Sequence, residues 1–107
     1  MIALPRPIAA YLAAANAHDS QATASCFTSD AVIRDERREW RGTSAIKAWK
    51  EDVDRKYRPI TDAVRVDEVD GRTLLTARIS GDFPGSPIEL PHRFTLRGDK
   101  IAALEID

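Results

Sequence analysis

The hydrophobic period of this chain turns from helical to alternating at Pro59, and that change limits the fold more than any other feature. Upstream of it, Ile46, Trp49, Val53 and Tyr57 recur at helical spacing and share one face. Gly42-Thr43 opens this helix, with Thr43 as the expected N-cap, and Pro59 stops it. Lys47, Lys50, Glu51, Asp54 and Arg55 are assigned to its other sides. Downstream, apolar residues alternate with polar ones, the period of strands with one buried face. A strand over Ile60–Val69 meets Asp70-Gly71, a strong hairpin signal, and Arg72–Ser80 returns with Leu75, Ala77 and Ile79 on one side. Residues 81–87 form a longer connection with a Pro84-Gly85 turn. Residues 88–96 make a third strand, Gly98-Asp99 a tight turn, and Lys100–Ile106 a closing strand.

The first forty residues supply the rest. Pro5 and Pro7 suit a helix start, where a missing N–H costs nothing, and Ile8, Tyr11, Leu12 and Ala15 make one stripe. His18-Asp19-Ser20 interrupts it, and Asp19 or Ser20 can cap a short second helix ending near Phe27. Thr28-Ser29-Asp30 reads as a turn, residues 31–35 as a short strand, residues 36–39 as a charged turn, and residues 39–41 as its return. Helices grouped ahead of an antiparallel meander predict an α+β fold, one domain over residues 1–107. The helices should lie across the concave side of a strongly curved antiparallel sheet, leaving a conical interior for a small ligand.

Charge and composition exclude several functions. With 31% charged residues and a net charge of -1, no basic face for nucleic acid or an anionic membrane is expected. Residues 7–17 are apolar enough to be compared with a signal peptide, but they are alanine-rich and interrupted by Tyr11 and Asn16, so they read as the first helix. No stretch reaches the roughly 20 apolar residues of a membrane span, and a cytoplasmic protein is expected. The single Cys26 reads as a small core residue, and two histidines offer no metal site.

In the strand over residues 88–96, Ile88, Leu90, Phe94 and Leu96 share a parity with His92, which aims an imidazole at the interior. An inward ring nitrogen needs a partner, since leaving it unmade costs roughly 1–3 kcal/mol. Either a structural hydrogen bond satisfies it, or it lines a pocket. Asp35 has the parity of Ala31 and Ile33 and can face inward, where burial would raise its pKa toward the range of a general base. Its other reading is a solvated charge paired with Arg37 or Arg38. Tyr11 is either a core aromatic or a hydroxyl presented to a ligand. Trp40 and Phe83, beside turns, are expected at the pocket mouth, and Phe27, Trp49 and Phe94 in its apolar wall.

The order of these elements, with Tyr11-Leu12-Ala13-Ala14-Ala15-Asn16-Ala17-His18-Asp19, the stretch from Cys26-Phe27-Thr28-Ser29-Asp30 through Asp35, and Arg41-Gly42-Thr43-Ser44-Ala45-Ile46, resembles the nuclear transport factor 2-like fold. That group includes ketosteroid isomerases and SnoaL-like polyketide cyclases. The resemblance implies a cystatin-like roll and cofactor-free chemistry on a small apolar carbonyl compound. It places Asp35 where the isomerases keep a carboxylate base, Tyr11 where they keep a phenol on the developing enolate oxygen, and His92 where they keep a protonated acid. The imidazole departs from that pattern, as does Glu36-Arg37-Arg38 in place of a run that begins with proline. The resemblance also implies a homodimer through the outer sheet face, carrying Glu89, Arg93, Thr95 and Arg97. Because this fold serves many purposes, a non-catalytic ligand-binding or dimerisation module stands beside the isomerase or cyclase reading.

Overall fold

Three helices and six strands follow one another in a computed structural model that describes residues 2–107. Helix α1 (Arg6–Asn16) and helix α2 (Ser20–Ser25) precede strand β1 (Phe27–Asp35) and strand β2 (Arg38–Arg41). Helix α3 (Thr43–Tyr57) leads into the meander of β3 (Ile60–Val69), β4 (Arg72–Ser80), β5 (Ile88–Arg97) and β6 (Lys100–Ile106). The change of period at Pro59 therefore marks the passage from helix to sheet. Asp19 caps α2 by accepting from the Ala22 amide at 3.0 Å.

Two local expectations are corrected. The N-cap of α3 is Gly42 rather than Thr43, because the chain leaves β2 with φ +88° there, a conformation that strains a side chain. Thr28-Ser29-Asp30 is not a turn but part of β1, whose register against β6 shifts between Phe27 and Val32. That irregularity absorbs polar residues without ending the strand.

The sheet order is β2-β1-β6-β5-β4-β3. Every neighbouring pair is antiparallel except β1 and β6, which run parallel, so the sheet is mixed and not wholly antiparallel. Everything between β1 and β6 acts as the long crossover that a parallel pair needs. The register also shifts in β3 between Ala63 and Arg65 and between Thr95 and Leu96 of β5. Such bulges bend a sheet and increase its twist. The sheet curls without closing: β2 and β3 remain its edges. Helices α1 and α3 fill the concave side. Ile8, Tyr11, Leu12, Ile46 and Trp49 from the helices meet Ile33, Leu75, Phe94, Ile101 and Leu104 from the strands in one buried cluster. Asn16 ties the end of α1 to β3, its amide donating to the Thr61 carbonyl at 2.9 Å and its oxygen accepting from the Thr61 amide at 2.8 Å. No helix among the described residues is long and apolar enough to cross a membrane.

Candidate functional site

Between the helices and the curled sheet a cavity of about 290 Å³ remains. Its apolar wall comes from Trp49, Val53, Ile79, Phe83, Leu90 and Ile106. Tyr11, Asp35, Glu36, Lys50, Tyr57, Thr61 and His92 bring groups able to hydrogen-bond or ionise to it. Such a mostly apolar hollow with a few convergent polar groups is the usual form of a small-molecule site.

Asp35 reaches this space because the alternation of β1 points it inward after Ala31 and Ile33. The indole Nε1 of Trp49 donates to its Oδ2 at 3.0 Å, which fixes the carboxylate against α3. Burial pushes its pKa up, the Trp49 hydrogen bond pulls the other way, and the neighbouring Glu36 pushes up again. It makes no ion pair among the described residues, neither Arg37 nor Arg38 turning to it. The turn after Asp35 uses left-handed backbone at two residues with side chains, Glu36 (φ 53°) and Arg37 (φ 64°). It sets Glu36 at the cavity, where the Tyr57 hydroxyl donates to its carboxylate at 3.0 Å.

Tyr11 is 4% exposed and packed edge-on by Phe27 at 5.7 Å and Phe94 at 5.8 Å. Burial, and then the charge of Asp35, raise its pKa beyond the ordinary phenol range. No hydrogen bond among the described residues uses its hydroxyl, and no fully buried polar side-chain atom there lacks a partner, so the hydroxyl opens onto the cavity. His92 is 2% exposed, and burial lowers its pKa to about 4, so the ring is neutral near pH 7. Its Nδ1 lies 3.4 Å from the Leu90 carbonyl oxygen. A carbonyl only accepts, which puts the ring proton on Nδ1 and leaves Nε2 an acceptor. Burial is the dominant cause, and Asp35 is not among the groups that shift this ring.

The structure thus brings Asp35, Tyr11 and His92 to one cavity, with Trp49 and Phe83 in its wall. Two expected wall residues and one expected mouth residue lie elsewhere. Phe27 and Phe94 are core residues that brace Tyr11 from behind. Trp40, on an edge strand, packs partly buried against the core beneath the Arg38 guanidinium, 4.5 Å from its ring, and does not line the mouth. The mouth residue beside a turn is Phe83, held edge-on to Tyr57 at 6.0 Å.

Lys50, expected away from the apolar face of α3, is buried with it. It is 2% exposed and lines the cavity. Its Nζ pairs with Asp54 Oδ1 at 2.5 Å, and His18 Nδ1 reaches the same oxygen at 2.9 Å. The signal was present: Lys50 stands four residues after Ile46, three before Val53 and seven before Tyr57, inside the buried stripe. Among the described residues, no cluster of three or more His, Cys, Asp or Glu side chains is placed to hold a metal ion.

Comparison with known proteins agrees with this architecture. The SnoaL-like domain description matches residues 8–104. A crystal structure of a candidate polyketide cyclase from Sinorhizobium meliloti is 32% identical, covers 97% of this chain and 95% of its own, and superposes with a TM-score of 0.92. A protein of ketosteroid isomerase-like fold from Catenulispora acidiphila, solved with trimethylamine, is 19% identical over 98% of this chain and 86% of its own, with a TM-score of 0.84. A cystatin-fold protein from Novosphingobium aromaticivorans is 18% identical, covers 100% of this chain and 99% of its own, and gives 0.79. Comparison with curated proteins finds no match. Helices laid on a curled sheet, the cavity between them and the match over residues 8–104 together place this chain in the SnoaL-like family of the nuclear transport factor 2-like fold.

Proposed function

We propose that this protein is a cytoplasmic enzyme that binds a small, mostly apolar carbonyl compound and moves a proton on it without a cofactor, as an isomerase or cyclase does. The observation that carries this reading is Asp35: a half-buried carboxylate on an apolar cavity, raised in pKa, unpaired by any cation and held in place by Trp49. Such a group can take a proton from a carbon next to a carbonyl. The electron pair of the broken C–H bond moves to the carbonyl oxygen, which accepts a hydrogen bond from the Tyr11 hydroxyl. Returning the proton to another carbon gives isomerisation; attack of the enolate carbon on a second carbonyl gives cyclisation. His92, with Nε2 unprotonated, accepts from an enol or hydroxyl of the ligand. The name of the Sinorhizobium meliloti relative supports the cyclase arm.

The test is exchange of α-protons for deuterium, followed by NMR in D2O across a panel of 1,3-dicarbonyl compounds. Exchange above background should appear with the native protein and fall by at least about 100-fold in Asp35→Asn, the lower end of general-base contributions. Equal exchange in the two proteins would exclude the mechanism.

The proposal also sets a second copy of the chain against the outer sheet face. Leu74, Thr76, Pro91 and Thr95 lie there among charged residues, with Arg93 opposite Leu74 and the Arg78–Glu89 and Arg72–Glu105 ion pairs alongside. Sedimentation at a monomer's rate across a wide concentration range would remove the dimer.

A further inference from the structure

Two opposite charges line the cavity without meeting. Asp35 and Lys50 both face it, yet Lys50 pairs with Asp54 and no ion pair joins it to Asp35. Their placement follows from α3: Trp49 holds Asp35, and Lys50 is the next residue, about 100° further around the helix. Asp54 is itself shared between Lys50 and His18, so a single carboxylate anchors the ammonium from behind. An ammonium has three N–H bonds, and the Asp54 contact uses one. Glu36, the other carboxylate at the cavity, is engaged by the Tyr57 hydroxyl. A buried cation is costly unless its remaining donors find oxygen.

We infer that Lys50 is the cavity's anion-binding group, and that the ligand spans it and Asp35: an enolisable carbonyl compound whose oxygen sits on the Lys50 ammonium while its acidic C–H faces the carboxylate. This rests on the proton-transfer reading and adds to it the residue that holds the oxygen as negative charge develops. The same geometry selects against apolar ligands with no oxygen, which would leave the ammonium's N–H bonds unmet.

The probe is 4-nitrophenol, an enolate mimic whose neutral and ionised forms differ in colour. Burial in an apolar cavity beside Asp35 alone would make the bound phenol a weaker acid; contact with Lys50 makes it a stronger one. In the native protein the midpoint of the bound probe should fall below its value in free solution by about one to three pH units. In Lys50→Met the fall should vanish or reverse, whereas Lys47→Met, an exposed lysine of the same helix, should keep it. A native midpoint at or above the free value overturns the inference whether or not any variant folds. So does a Lys50→Met midpoint equal to the native one. Failure of 4-nitrophenol to bind would overturn this inference, while the proton-transfer reading beneath it stands or falls on the deuterium exchange. Asp35→Asn separates the two: lost deuterium exchange with the probe still ionised supports both. Retained exchange with the probe still ionised leaves Lys50 standing and removes Asp35 as the base.

Discussion

Replacing His92 with methionine tests the central packing statement, that a neutral imidazole sits at the end of the core. In the folded protein its pKa is lowered from 6.5 to about 4 because the ring is buried. Above pH 6.5 the ring is neutral in both folded and unfolded chains, and the residue's contribution to stability is fully present. Between pH 6.5 and about 4 the unfolded chain takes up a proton that the folded one refuses, so stability falls as pH falls. The interval is worth roughly 3 kcal/mol at about 1.4 kcal/mol per pH unit, a large share of the 5–15 kcal/mol of a typical domain. At pH 7 the variant loses the ring's backbone contacts, among them the 3.4 Å contact to the Leu90 carbonyl, while keeping an apolar side chain of similar size, so the two proteins should agree within about 1 kcal/mol. Urea unfolding followed by tryptophan fluorescence at pH 7, 6, 5 and 4 measures the difference. The native protein should lose stability faster than His92→Met, by roughly 3 kcal/mol over the range. Parallel curves would mean that the ring is solvated or already charged in the fold, and the interior placement would be wrong.

Three further outcomes follow from particular contacts. Trp49→Phe deletes the indole donor that restrains the Asp35 pKa, so the carboxylate should titrate at higher pH than in the native protein, read by carbon-detected NMR of its side chain. Gly81→Ala would set a Cβ 2.6 Å from the Tyr57 carbonyl, a backbone atom that cannot step aside; a loss of about 1–3 kcal/mol in thermal or urea unfolding is expected. Asn16→Ala removes both partners of the Thr61 peptide groups and should cost about 1–3 kcal/mol, with faster hydrogen exchange at the Thr61 amide.

Much of the architecture was legible in order along the chain. Apolar spacing in α3, the Asp70-Gly71 turn and the alternation of β4 and β5 are local signals, and the strands and helices they name are the ones that form. Parity also carried Asp35 and His92 to the interior, because a strand offers a side chain only two directions. The helix gave Tyr11 the same certainty of face, since Ile8, Leu12 and Ala15 are buried beside it.

What the sequence determined, then, is which face of each element each residue occupies, a property of backbone periods of 2.0 and 3.6. What only the tertiary structure decided is what lies opposite that face. The parallel meeting of β1 and β6 joins strands more than sixty residues apart, and no local period encodes it. Phe27, Phe94 and Trp40 were placed on plausible faces, but the curl of the sheet set the first two behind Tyr11 and the third at an edge. Lys50 reads as a solvated charge, yet Asp54, one turn further along α3 and itself held by His18 from the turn between α1 and α2, supplies the partner that lets an ammonium be buried. The partner is local, but the elements that close over α3 and take Lys50 out of water are distant in sequence, and they surround it only once the chain has folded.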